Sequence, residues 1–161
     1  MKALSQTQLQ QLLSAVDSQS PFGLRDRLVV TFLLHTGLEP VELVGLNVDH
    51  VLEGSQVLER LHLAATLAGD GRARTVVLDQ VARRTVRDIL AFSKLNRWIV
   101  RPGCPLVRND RGKRMTASQL GQLLDGLRYR AGIDVPGRQL AVWVCHHTCL
   151  TSVGTSSPAA A

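Results

Sequence analysis

The sequence predicts an α+β domain that is mainly α-helical and carries a small antiparallel β-sheet. Three observations lead to this fold class. Apolar residues repeat at helical spacing from Leu9 to Val16, near the start of the chain. Between Val48 and Leu78 the pattern changes to β-branched, alternating residues, and after Thr116 leucines again repeat at helical spacing. We therefore expect a helical body with the sheet on one side.

Three helices are predicted before the sheet. Ser5 and Gln8 have the arrangement of a capping box at the start of the first helix. The second helix is apolar on most sides, which is typical of a central helix, and it ends at Gly37. Pro40 suits the first turn of the third, short helix, where its missing N–H would be unpaired anyway. The predicted ranges are 5–16, 24–34 and 39–46.

Three strands and two turns are predicted for the middle of the chain. Glu53-Gly54-Ser55 and Gly69-Asp70-Gly71 interrupt the alternating pattern and are typical of turns. The predicted strands cover residues 48–52, 57–66 and 73–78, and we expect them to pair in one antiparallel sheet.

The second half returns to helices. A helix over 80–94 is expected to turn Val81, Ile89 and Leu90 inward and its arginines outward. Asn109 to Gly112 predicts a turn. Thr116 and Gln119 form a second capping box, and Gly132 ends that helix. A further helix over 140–153 would complete one domain over 1–153, with 154–161 as a flexible tail.

The composition is typical of a globular cytoplasmic protein. The chain has 161 residues, of which 45% are hydrophobic, so a sizeable core can be buried. No apolar run approaches the roughly 20 residues of a membrane-spanning helix, and Met1 begins no secretory signal, so we expect no membrane partner. The odd number of cysteines, three, argues against a disulfide framework.

The positive charge lies in the second half of the chain. Residues 1–70 carry 4 basic and 8 acidic groups, whereas residues 71–161 carry 15 basic and 5 acidic groups. Most of the basic residues are arginines, whose planar guanidinium matches phosphate oxygens. A polyanion, and nucleic acid first among them, is therefore the favoured partner; a merely solvated basic face is the alternative.

Several segments, in collinear order, resemble the tyrosine recombinase (phage integrase) family. Thr36 to Leu46, TGLEPVELVGL, is similar to the family pattern T-G-L-R-x-x-E-L-x-x-L. Arg25-Asp26 resembles the start of the preceding helix, and Gly69 to Leu78 resembles a β-hairpin of the family. Residues 111–114, 131–133 and 147–148 also match. The resemblance covers residues 3 to about 153 and implies a recombinase-like catalytic-core fold, without the family's N-terminal core-binding domain.

The resemblance also implies where strand-cleaving residues belong, and this sequence departs from the family there. In the family, two Arg neutralise the phosphate, a Lys protonates the leaving oxygen and a Tyr attacks. The first Arg position is Glu39, and the Lys falls at Gly69 or Asp70. The family's H-x-L-R-H-T pattern retains its last His, as His147, while its first His and its Arg fall on Trp143 and His146.

The only tyrosine, Tyr129, lies on the wrong element for the nucleophile, and we expect it to be a partly buried aromatic residue. We therefore predict no catalytic residue in this chain.

No metal site or cofactor is predicted. Cys145 and Cys149 share a helix face, but the spacing of Cys145-His146-His147-Thr148-Cys149 does not converge on one ion. Gly69-Asp70-Gly71 lacks the strand and helix context of a phosphate-binding loop.

The predicted function is DNA binding by an integrase-like protein that does not cleave DNA by itself. One alternative is an active tyrosine recombinase, completed by another recombinase or a second copy of itself. The other is a protein-interaction scaffold that kept the fold. Basic residues near turns can reach a duplex backbone. The predicted contacts are Arg72, Arg74, Arg111, Lys113 and Arg114.

Overall fold

A computed structural model describes residues 4–134 of the chain. Within that range five α-helices surround one main hydrophobic core, and four short strands lie between the third and fourth helices. The helices are α1 (Gln6–Ser14), α2 (Gly23–Thr36), α3 (Pro40–Gly45), α4 (Gln80–Leu95) and α5 (Ala117–Ala131). The strands are β1 (Leu52–Glu53), β2 (Gln56–Val57), β3 (Arg60–Leu63) and β4 (Arg74–Val77). The mainly helical fold class is confirmed, whereas the predicted helix over 140–153 lies outside the described residues.

The predicted helix boundaries rest on real caps. Ser5 accepts a hydrogen bond from the Gln8 N–H at 3.2 Å, and the Gln8 side chain accepts from the Ser5 N–H at 2.9 Å. The corresponding bonds between Thr116 and Gln119 are 3.1 and 3.0 Å. Gly37 ends α2 in the left-handed region, with a φ of 66° that a side chain would strain.

The central position predicted for α2 is also confirmed. Val29, Val30 and Phe32 are fully buried, and α2 packs against α4. On α4 the buried stripe runs through Ala82 and its neighbours at helical spacing, so the expectation that Val81 faces inward was wrong: Val81 is 43% exposed. Successive residues on a helix point about 100° apart, and burial of Ala82 therefore turns Val81 toward the surface.

The sequence predicted one antiparallel sheet, and this prediction was wrong. The strands form two separate two-stranded antiparallel sheets, β1 with β2 and β3 with β4. Residues 48–50 form a 3₁₀ turn instead of a strand. The reason is that the Val48 and Asp49 N–H groups donate to the carbonyls of Cys104 and Pro102, at 2.9 and 3.0 Å. Backbone N–H groups that donate to this loop cannot also donate to a neighbouring strand.

The β3–β4 hairpin approaches α3. Arg60 pairs with Val77, and Leu63 pairs with Arg74, so a ten-residue connection, 64–73, leaves and re-enters the hairpin at the Leu63–Arg74 end. Leu61 and Leu63 point into the core. In the described part of the chain, no helix is long and apolar enough to cross a membrane.

Candidate functional site

The N-terminal end of α3 meets the connection between β3 and β4. A Cβ atom placed on Gly69 would lie 2.1 Å from Oε2 of Glu39, so the Glu39 carboxylate already occupies the space over this glycine. The structure therefore brings together the two positions at which the resemblance implies a catalytic Arg and Lys. In this chain they are a carboxylate and a residue without a side chain.

Glu42, one turn into α3, is the centre of this region. Its carboxylate is fully buried and accepts two hydrogen bonds from the Arg74 guanidinium, at 2.6 and 2.7 Å. It also accepts from the backbone N–H groups of Gly69 and Glu39, at 2.9 and 2.8 Å. Burial by itself would raise the pKa of Glu42, but these four donors outweigh it and hold the pKa below its ordinary value.

The region is poor in free positive charge. Arg74 donates to Glu42, and Glu39 and Asp70 are close enough to Arg74 to help raise its pKa, after the Glu42 hydrogen bond itself. One guanidinium thus faces three carboxylates. A phosphate placed here would meet net negative charge, the reverse of what stabilisation of a phosphorane requires.

Arg72 lies just beyond this cluster, at the surface. Its backbone N–H donates to the Asp70 carboxylate at 3.0 Å, next to Gly71, whose φ of 72° allows the tight turn. The side chain is exposed, and within residues 4–134 it has no hydrogen bond or ion pair.

A second basic group lies in the hairpin-like segment 108–114, called here the 109–113 loop after the residues at its tip. Arg108 and Arg114 form an antiparallel bridge at its base. The Asn109 side chain accepts from the N–H groups of Arg111 and Lys113, at 3.0 and 3.1 Å. These bonds give the tip a defined shape.

The basic side chains of this segment divide into two kinds. Arg114 donates to the carbonyls of Val44 and Leu46, at 2.9 and 3.2 Å, and to Asn47, so it ties the loop to the end of α3. Arg108 donates to the carbonyls of Gly112 and Ile99 and lies over the Trp98 ring.

Arg111 and Lys113, in contrast, are exposed, and neither side chain has a hydrogen bond or ion pair among the described residues.

An open groove of about 670 Å³ runs between this loop and the helices α2 and α5. Arg25, in the first turn of α2, lies at its wall and is only 8% exposed. It donates to Asp26 at 2.6 and 2.9 Å and to Asp110 of the loop at 2.6 Å. Sequence reasoning did not assign Arg25 a role; the Arg-Asp pair at the start of a helix was the available signal.

The comparison with protein families decides the identity of the fold. The model described as "Phage integrase family" matches residues 2–152, nearly the whole chain. The chain belongs to the phage integrase family.

Relatives of this integrase-family chain are recombinases. It is 29% identical over 145 residues to tyrosine recombinase XerD of Listeria monocytogenes, covering 84% of this chain and 44% of the relative. It is 28% identical over 150 residues to the XerD of Vibrio cholerae, covering 93% and 47%. The integrase-family chain therefore spans about half the length of these curated relatives.

Solved structures share the fold of this integrase-family chain. A crystal structure of XerA recombinase aligns with a TM-score of 0.69 and 18% identity, over 98% of this chain and 52% of that one. XerH site-specific recombinase, in a post-cleavage complex with a palindromic difH substrate, aligns with a TM-score of 0.67 and 18% identity, over 94% and 42%.

The structure describes Tyr129 but not the residues of the H-x-L-R-H-T segment. Tyr129 lies on α5 and is 83% exposed, so the expectation of a partly buried residue was wrong; it belongs to the surface side of α5, whose buried side carries Leu120, Leu124 and Leu127. Trp143, His146 and His147 lie outside the described residues, as do Cys145 and Cys149. Within 4–134 no three His, Cys, Asp or Glu side chains are grouped to hold a metal ion.

Proposed function

We propose that this chain binds duplex DNA as an integrase-like protein of DNA recombination and does not cleave DNA by itself. The observation that carries the proposal is the 109–113 loop. It holds Arg111 and Lys113 on a hydrogen-bonded turn, exposed and unpaired among the described residues. Cationic side chains in such positions contact phosphates and release counterions, which gives affinity without sequence preference.

The proposed contacts are not equivalent. Arg72, Arg111 and Lys113 are available for phosphate, whereas a contact from Arg74 or Arg114 would compete with intramolecular bonds to Glu42 or to the carbonyls at the end of α3. The proposal therefore rests on the first three residues.

The absence of cleavage rests on the region around α3. Glu39 stands where the resemblance implies an Arg, and its carboxylate fills the space over Gly69, one of the two positions implied for the Lys. An active assembly would need the missing catalytic residues from elsewhere. They would come from a longer chain or from a partner, either another recombinase or a second copy of this protein. We also propose that the protein is cytoplasmic, because its proposed DNA partner is found there.

A binding titration with a charge-matched control tests the DNA proposal. We expect the protein to bind random-sequence duplex at about 50 mM salt and to lose affinity steeply by about 200 mM. The double variant Arg111→Gln/Lys113→Gln should lower the salt slope by about 2, since each lost phosphate contact removes about 0.9. The control, Arg84→Gln/Arg87→Gln, removes two exposed arginines from α4 and should leave most of that slope.

Two results would contradict the proposal: no binding at the lower salt concentration, or equal losses in the two double variants. A plasmid relaxation assay tests the second half of the proposal. We expect supercoiled plasmid to remain supercoiled, and a covalent adduct between the protein and DNA, on Tyr129 or elsewhere, would overturn it.

A further inference from the structure

The tip of the 109–113 loop contains an acidic residue directly before its two free cations. Asp110 immediately precedes Arg111 and lies three residues before Lys113. A carboxylate free to turn toward these cations would compete with phosphate for them. In the structure Oδ1 of Asp110 accepts instead from Nη1 of Arg25, at 2.6 Å.

Arg25 is built as a fixed anchor. Its Nε and Nη2 atoms both donate to Oδ1 of Asp26, at 2.9 and 2.6 Å, and its guanidinium lies 5.0 Å from the centre of the Phe22 ring. It is 8% exposed, while the side chain of Asp110 is 66% exposed. The loop tip is therefore attached to α2, and α2 does not depend on the loop for its own position in the core.

The same guanidinium also reaches the backbone of the loop. Nη1 of Arg25 donates to the Arg108 carbonyl at 3.3 Å, so one side chain holds the base and the tip of the segment together. A donor shared between two points of a short turn restricts the turn more than either bond would by itself.

We infer that Arg25 is a positioning residue for phosphate binding: by holding Asp110 it fixes the loop tip and withdraws the acidic charge from Arg111 and Lys113. This inference rests on the proposed DNA binding and adds a residue that touches no DNA. A preordered loop loses less conformational freedom when it binds, which is the source of the expected gain in affinity.

The decisive test compares the loss of the Arg25–Asp110 contact with an equal change in net charge elsewhere. Asp110→Ala and Asp88→Ala each raise the net charge from +6 by one, and Asp88 is exposed on α4 with no ion pair among the described residues. Charge alone predicts equal or tighter DNA binding for both variants. We expect Asp110→Ala to bind a random-sequence duplex about threefold more weakly or worse than wild type, and Asp88→Ala to bind at least as tightly as wild type.

A conservative variant separates this role from a general loss of structure. Asp110→Asn keeps an oxygen that can accept from Arg25 and should recover part of the affinity lost in Asp110→Ala. Its circular dichroism spectrum and that of Asp110→Ala should match wild type, because Asp110 lies on an exposed loop. Equal affinity of Asp110→Ala and Asp88→Ala would overturn the inference while leaving the proposed DNA binding intact.

Hydrogen exchange of the free protein reports on the loop independently of DNA. The N–H groups of Arg111 and Lys113 are bonded to Asn109 in the structure. In Asp110→Ala they should exchange about tenfold faster or more, because the turn opens more often. Unchanged exchange would overturn the inference whatever the binding data show. Failure of wild type to bind DNA, with exchange accelerated as expected, would overturn the proposed function and the role in binding, leaving Arg25 as a structural anchor of the loop.

Discussion

The Arg74 guanidinium and the fully buried Glu42 carboxylate form a two-point ion pair, Nη1 to Oε1 at 2.6 Å and Nη2 to Oε2 at 2.7 Å. The pair joins β4 to α3 through two residues that are 32 positions apart in sequence. It also explains why Arg74, predicted from sequence as a DNA contact, is only partly available at the surface. Its side chain is 36% exposed and is directed to a carboxylate.

Replacement of Glu42 by Gln should destabilise the fold strongly. Gln keeps the size of the side chain but removes the buried negative charge and turns an NH₂ group toward donors that Glu42 now accepts from, which should cost about 2 to 3 kcal/mol. The free energy of unfolding from urea titration measures the loss. Glu53→Gln, on the exposed turn strand β1, is the matched control and should change stability by less than about 0.5 kcal/mol. Similar losses in the two variants would show that the pair contributes little.

The same carboxylate predicts an acid-sensitive stability. Because the pKa of Glu42 is lower in the folded than in the unfolded state, its contribution is complete above the ordinary value of 4.5 and is lost as the pH falls through the folded value. Asp79 has a lowered pKa too: burial opposes the shift, but the Ala82 N–H and His35 outweigh it. Burial raises the pKa of Asp26 despite its Arg25 hydrogen bonds, so Asp26 acts in the opposite direction.

We therefore expect the urea midpoint to be nearly constant from about pH 7 to pH 5 and to fall below about pH 4.5. In Glu42→Gln the midpoint at neutral pH should be lower and its dependence on acid weaker. An acid dependence as steep in Glu42→Gln as in wild type would assign the effect to other carboxylates.

Restoring a positive charge at the first-Arg position should tighten DNA binding without restoring cleavage. Glu39→Arg removes a carboxylate from the space over Gly69 and adds a bidentate donor, so affinity at low salt should rise about tenfold. Glu42 is already saturated by four donors, which limits its capacity to capture the new guanidinium. Cleavage should remain absent, because groups that act as a unit are not restored singly.

Glu53→Arg changes the net charge by the same amount at an exposed site and is the control for this experiment. An equal gain in both variants, with unaltered circular dichroism, would show that the N-terminal end of α3 does not face DNA.

Gly112 should tolerate a side chain less well than Gly71. Both have a left-handed backbone, with φ of 73° and 72°, so Ala at either position costs about 1 kcal/mol in strain. At Gly112 the new Cβ would also lie 2.7 Å from Nε1 of Trp98, whereas at Gly71 nothing lies within 4 Å. Gly112→Ala should therefore lower the free energy of unfolding by about 1 kcal/mol more than Gly71→Ala, and shift Trp98 fluorescence. Equal losses would mean that Trp98 moves aside freely.

Local features of the chain were predictable because they depend on neighbours in sequence. The capping residues Ser5 and Thr116 and the αL glycines at helix ends satisfy backbone groups a few positions away. The 3₁₀ turn at residues 48–50, where the sequence predicted the start of a strand, was not predictable, because the Val48 and Asp49 N–H groups donate to carbonyls of the 102–104 loop, more than fifty residues later.

The sequence by itself determined the helical body, the family to which the chain belongs, and the carboxylate at position 39, since each depends on residue type and order. Only the tertiary structure decided which arginines are available. The sequence does not distinguish internally bonded from available arginines. Among the described residues, folding brings carboxylates or carbonyls to four of them, Arg25, Arg74, Arg108 and Arg114, but not to Arg72 or Arg111. Whether a guanidinium meets an internal acceptor or solvent depends on contacts between segments distant in the chain, and these form only when the core is packed.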